Sequence, residues 1–196
     1  MPRHNARAVA RPSSAIIAPV FATLGLATAL ALLPTLAFPA AHMGESVEVD
    51  MIGTDGESMG TATITQTAAG PVLVRAEVSG LEPGEHGFHI HETGTCDPAT
   101  NFDSAGGHYA GEGDPSHGLV EGGPHAGDMP NQDVGEDGML MAEVFNANVS
   151  LSGEMNPLDD ADGSALLIHA GADDYESQPS GDAGGRVACG VIFAAE

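Results

Sequence analysis

The sequence predicts an all-β domain, a sandwich or barrel of short antiparallel strands. Several short segments alternate apolar and polar residues with a period of two. Clusters of Gly, Pro, Asn and Asp separate these segments. The composition, with 27 Gly, 13 Pro, no Trp and 17% charged residues, suits a turn-rich chain better than a helical one. With 196 residues and an apolar leader there is room for one domain, and no internal repeat suggests a solenoid.

The leader comes first. Arg3, Arg7 and Arg11 precede an apolar stretch over residues 15–41, broken only by Pro19, Pro34, Pro39 and small polar residues, which is the order of a secretory signal. The stretch exceeds the about 7–15 residues of a signal's apolar region and approaches the roughly 20 that span a bilayer. Its end, Leu36-Ala37-Phe38-Pro39-Ala40-Ala41, offers no small-x-small cleavage site. Residues 1–41 are therefore read as a signal peptide or an N-terminal membrane anchor, with a possible membrane tether through residues 15–41. Residues 42–196 form the exported domain, placed in the periplasm, the cell envelope or outside the cell. Cys96 and Cys189, the only cysteines, both lie in that part, and an even count in an oxidising compartment suggests a disulfide rather than two separate buried thiols.

Seven segments read as strands: residues 47–52, 61–67, 72–79, 87–91, 139–149, 165–170 and 186–193. From His91 to Met139 the chain is rich in Gly, Pro and Asp and carries no strand or helix signal. That is far beyond the about 12–15 residues at which structureless connections become uncommon. Residues 171–185, before the last strand, have the same character. A loop without a core of its own needs an organiser.

Of the nine histidines, six fall in or beside these loops: His89, His91, His108, His117, His125 and His169. In Gly87-Phe88-His89-Ile90-His91 the two histidines stand two apart on a strand, so both rings project from one face while Phe88 and Ile90 project from the other. His117, His125 and Asp128 supply two imidazoles and a carboxylate within the long loop. One further nitrogen, for which His108 is placed, completes a donor set of the kind zinc favours. His169 closes the strand over 165–170 on the face opposite Leu166 and Ile168. Each histidine taken singly reads as a surface or hydrogen-bonded residue; together they can crosslink a loop that lacks a core.

Three motifs carry a resemblance to the copper, zinc superoxide dismutase family, bacterial-type and exported: GFHIHETGTC at 87–96, SAGGHYAGEGDPSHGLVEGGPHAGDMPN at 104–131 and GDAGGRVACGVI at 181–192. The resemblance spans roughly residues 47–193. It implies a Greek-key β-barrel or sandwich of about eight antiparallel strands with two long metal-organised loops. It makes His89, His91, His108 and His169 copper ligands, and His108, His117, His125 and Asp128 zinc ligands, with His108 bridging the two ions. It pairs Cys96 with Cys189, sets Arg186 beside the copper to attract an anionic substrate, and gives Asp173 the role of joining a copper ligand to a zinc ligand. Asp174 competes for that last role. The implied reaction converts two superoxide anions to dioxygen and hydrogen peroxide by redox cycling of copper, with Arg186 and His108 as the catalytic side chains. A non-catalytic relative that only binds or delivers metal would lack a copper ligand or the arginine, and this chain has both.

The charge narrows the partners. All 28 acidic residues lie at or after Glu45, against only Arg75 and Arg186 in the same region, and there is no lysine. Such a surface repels phosphate backbones, which argues against nucleic acid. The small anion superoxide is the expected substrate, and the assembly is a monomer or homodimer.

Overall fold

The computed structural model describes residues 43–113 and 115–196; the leader, read above as signal or anchor, lies outside the described residues. Eight strands form one closed antiparallel barrel: β1 (Met43–Gly53), β2 (Ser58–Thr67), β3 (Val72–Ser79), β4 (Gly84–His91), β5 (Asp128–Val134), β6 (Met139–Asn146), β7 (Ser164–His169) and β8 (Arg186–Phe193). Around the barrel the order is β1-β2-β3-β6-β5-β4-β7-β8, so β3 skips to β6 and β4 to β7. These are Greek-key crossings. Closure comes where Ile52 and Gly53 of β1 meet Cys189 and Ala188 of β8.

The period-two pattern sets the inside of the barrel. In β3 the residues Val72, Val74, Ala76 and Val78 are buried while Arg75, Glu77 and Ser79 are exposed. Register carries this across to β6, where Val74 faces Val144, Ala76 faces Ala142 and Val78 faces Leu140. Strand β7 differs, being buried at all six positions. Leu166 and Ile168 face the main core. Ala165 and Leu167, on the other side, form a second cluster with Phe102, Ala105 and Cys189. The loop after β4 therefore lies across the outer face of β4, β7 and β8, which is why β7 reads as a continuous apolar run.

The fold departs from the sequence pattern in the long connection. The stretch from His91 to Met139 is not free of regular structure: it contains β5 and two short 3₁₀ turns, Pro98–Thr100 and Asp103–Ala105. Strand β5 reads Asp-Met-Pro-Asn-Gln-Asp-Val, and only Met129 and Val134 are buried. A strand so polar, with a proline inside it, gives no alternation to detect. Its partner is the polar first half of β4, Gly84 to His86, which begins three residues before the expected strand for the same reason. A bulge between His86 and Phe88 then resets the register so that His89 pairs with Asp128. Strand β6 ends at Asn146 instead of running to residue 149, because the Asn146 carboxamide accepts the Asn148 N–H at 2.8 Å and turns the chain.

Cys96 and Cys189 are bonded, with Cα atoms 5.8 Å apart and a sequence separation of 93. The bond fastens the loop after β4 to β8 directly over the second apolar cluster. Removing a native disulfide typically costs about 2–5 kcal/mol, which for a domain of this size lowers the melting temperature by roughly 10 °C. Cys189→Ser is expected to show that drop by calorimetry and to release metal more readily. An unchanged melting point with metal retained would leave the bond without a structural role.

Candidate metal centre

Strand β4 presents His89 and His91 on the face opposite the core residues Phe88 and Ile90, and β7 ends in His169 beside them. The long loop folds back onto this face. His108 bridges to His91, the Tyr109 N–H donates to Ile90 O at 2.8 Å, and the Glu92 N–H donates to Gly107 O at 3.0 Å. His89, His91, His108 and His169, all buried, thereby come together with one ring nitrogen of each within 4.8 Å of the others. A second set, His108, His117, His125 and Asp128, meets the same limit. His108 belongs to both.

Hydrogen bonds decide which nitrogen each ring can offer. The Nδ1–H of His91 donates to Gly106 O at 3.1 Å and that of His169 to Gly184 O at 3.3 Å. Both Nε2 atoms are left facing each other at 3.4 Å. His89 is oriented the other way: its Nε2–H donates to Asp173 Oδ2 at 2.8 Å, and its Nδ1 has no partner. In the second set, Asp128 Oδ1 is approached by Nδ1 of His108 at 2.8 Å, of His117 at 3.1 Å and of His125 at 3.4 Å. Asp128 Oδ2 is occupied by the N–H groups of Gly118 at 2.9 Å and His125 at 3.0 Å.

Asp173 joins the two sets. Its Oδ2 accepts from His89, its Oδ1 lies 3.0 Å from His117 Nε2, and the Tyr175 N–H donates to Oδ1 at 2.6 Å. The neighbouring Asp174 bonds only within its own loop, to Glu176 and Ser177. Gly181 sits against the bridge with φ of +70°, and a Cβ there would collide with Asp173 Oδ1 and crowd His117 Nε2. Only glycine fits.

The donors fit copper and zinc. Nδ1 of His89, Nε2 of His108 and Nδ1 of His125 are buried with no hydrogen-bond partner, and leaving such an atom unsatisfied costs about 1–3 kcal/mol. A cation held by each set would satisfy them. Burial, aided by the neighbouring His89, lowers His169 to about 3. Burial also lowers His108 to about 4, although its bond to Asp128 opposes the shift, and burial holds His91 well below its ordinary value. All three rings are thus neutral at pH 7, the state in which imidazole binds metal. Burial pushes Asp128 upward, but bonds from His108 and the Gly118 N–H outweigh it and hold the carboxyl below the usual range. In the same way bonds from His89 and His117 overcome burial and bring Asp173 to about 2.

A cleft of about 430 Å³ opens over the first set, lined by His91, His108, His125, His169, Ser180 and Arg186 among others. Arg186, the first residue of β8, donates from Nη1 to Phe102 O and from Nη2 to Gly106 O. Gly106 O also accepts from His91, so the guanidinium is tied to the carbonyl that orients this imidazole. The sequence does not single out His86. This buried residue places Nδ1 2.6 Å from His169 O and Nε2 2.8 Å from Glu82 O, behind the cluster. Three residues from His89, it is out of phase with the strand's period of two, so no local pattern marks it.

A closed Greek-key barrel with a histidine shared between a four-histidine set and a three-histidine, one-carboxylate set defines a protein built to hold two metal ions side by side. Residues 58–192 match the family model for copper/zinc superoxide dismutase. The chain belongs to the copper/zinc superoxide dismutase family. It is 48% identical over 146 residues to a copper-zinc superoxide dismutase of Aquifex aeolicus, covering 73% of this chain and 84% of that one. It is 37% identical over 158 residues to the copper-zinc superoxide dismutase of Escherichia coli K12, covering 76% and 87%. Among solved structures, a superoxide-dismutase-like protein from Bacillus subtilis matches with a TM-score of 0.70 at 34% identity, covering 76% of this chain and 99% of that one. The copper/zinc superoxide dismutase of Brucella abortus matches with a TM-score of 0.61 at 31% identity, again covering 76% and 99%.

Proposed function

We infer that this chain is a superoxide dismutase, with copper held by His89, His91, His108 and His169 and zinc by His108, His117, His125 and Asp128. The observation that carries the reading is the position of His108. Its Nδ1 faces Asp128 and its Nε2, free of any partner, faces the other set. Copper supplies the one-electron chemistry that turns two superoxide anions and two protons into dioxygen and hydrogen peroxide. The protein does the rest. Arg186 attracts the anion at the floor of the cleft. His108 Nε2 is the atom that can take up a proton there and return it, while Nδ1 and Asp128 keep the ring in place. Asp173 fixes His89 and His117 in the orientations that direct their remaining nitrogens to the metals. A module that only stores metal has no need of Arg186 beside an open four-histidine set. The disulfide supports export, and residues 1–41 serve as the signal or anchor that achieves it.

Copper and zinc analysis of purified protein, with superoxide consumption measured on the same sample by pulse radiolysis, tests the function. One of each metal per chain and rapid consumption are expected; consumption absent from copper-loaded protein would overturn it. A salt series on that sample tests substrate capture. Among the described residues Arg75 is paired with Glu143 at 2.7 Å on the outer face of β3 and β6, leaving Arg186 as the cation at the cleft. The domain sets 28 acidic residues against it and Arg75. At 0.01 M salt their field reaches about 30 Å and opposes an approaching anion; at 1 M it reaches about 3 Å, while Arg186 acts at contact. The rate constant is expected to rise or hold as salt increases. A steep, monotonic fall would mean that local attraction by Arg186 and the metals outweighs the acidic surface.

A further inference from the structure

The two loops that meet over the zinc set carry charge of the same sign. Residues 104–131 contain Glu112, Asp114, Glu121 and Asp128, and residues 171–185 contain Asp173, Asp174, Glu176 and Asp182; neither segment has a lysine or arginine. No lysine or arginine is there to fasten one to the other; the one charged link across them is the Asp173 carboxylate on the His117 ring, at 3.0 Å. Carboxamides add to it. Gln178 Oε1 accepts the His117 N–H at 2.8 Å, and Gln178 Nε2 donates to His117 O at 2.9 Å. A similar two-bond clamp joins Asn131, at the zinc-loop end in β5, to the main chain of Asp173, with both bonds at 2.9 Å.

The clamp at His117 completes the hold on that residue. Its ring nitrogens face Asp128 and Asp173, and its main-chain N–H and C=O are both taken by Gln178. The same segment also holds Leu119, whose N–H donates to Tyr175 O at 2.7 Å. At Gly118 a Cβ would collide with that oxygen. His117 is fully buried while Gln178 is exposed, so the amide acts from the surface on a residue it does not shield.

We propose that Gln178 is a positioning residue of the zinc site, its neutral carboxamide latching the main chain of His117 so that two mutually repelling loops stay closed over the metal. The proposal rests on the zinc assignment made above. Its charge neutrality matters, because an amide latch is indifferent to the salt that would weaken an exposed ion pair.

The test uses zinc-loaded protein and follows zinc release to a chromogenic chelator, alongside the visible spectrum of protein with cobalt(II) in place of zinc. Gln178→Ala removes both bonds. Gln178→Glu keeps the acceptor, loses the donor and sets a negative charge against His117 O. Both are expected to release zinc about 10-fold faster, in line with the loss seen when groups that orient a metal ligand are removed, and to shift the cobalt spectrum. Gln66→Ala is the control. Gln66 accepts from the Leu151 N–H at 3.0 Å and donates to Gly70 O, far from the zinc set, and its loss should leave release and spectrum unchanged. Wild-type release from both Gln178 variants, or equal acceleration in Gln66→Ala, overturns the latch. Failure of the wild-type protein to bind zinc at all would instead strike the zinc assignment itself.

Discussion

His169→Ala is expected to lose copper and, with it, superoxide consumption, down to the background of metal-free protein. The ring supplies one of the inward Nε2 atoms and lines the cleft, whereas its main chain is already secured: its carbonyl lies 2.6 Å from His86 Nδ1, and its position in β7 pairs with Arg186 of β8. The strand therefore survives the loss of the ring, so the barrel should still fold. Zinc should stay, because His169 is not in the second set. Metal analysis and pulse radiolysis on the same preparation measure both effects. Wild-type copper and turnover in this variant would sink the copper assignment, and joint loss of zinc would show that the two sets are not separable.

Asp128→Ala should show the reverse order. The carboxylate gathers three imidazoles on Oδ1 and two main-chain N–H groups on Oδ2, so its removal takes away the only anion in the second set and releases Gly118 and His125. Zinc affinity is expected to fall by at least about 100-fold, the upper end of what loss of a merely supporting group costs. Copper should be retained in part, since the first set shares only His108 with the second. Its spectrum should still change, because His108 loses the partner of its Nδ1. Zinc loss measured by competition with a chelator, with copper still bound, is the expected pattern. Parallel loss of both metals would contradict it.

Residue order alone names the candidate donors and the strands that carry an apolar rhythm. His89 and His91 had to share a face because strand residues two apart do so, and Phe88 and Ile90 had to lie in the core for the same reason. The alternation in β3 and β6 likewise declared which side of each was buried. Features with no local pattern were left to tertiary contacts. Strand β5 and the first half of β4 are polar, and each is a strand because the other pairs with it. Which nitrogen of each imidazole is free depends on carbonyls and carboxylates brought from distant parts of the chain: Gly106 against His91, Gly184 against His169, Asp173 against His89, 84 residues away. The choice between Asp173 and Asp174 and the grip of Gln178 on His117 arise in the same way. A side chain's type and its neighbours in sequence fix which atoms it can offer; only the folded chain fixes which of those atoms are already taken.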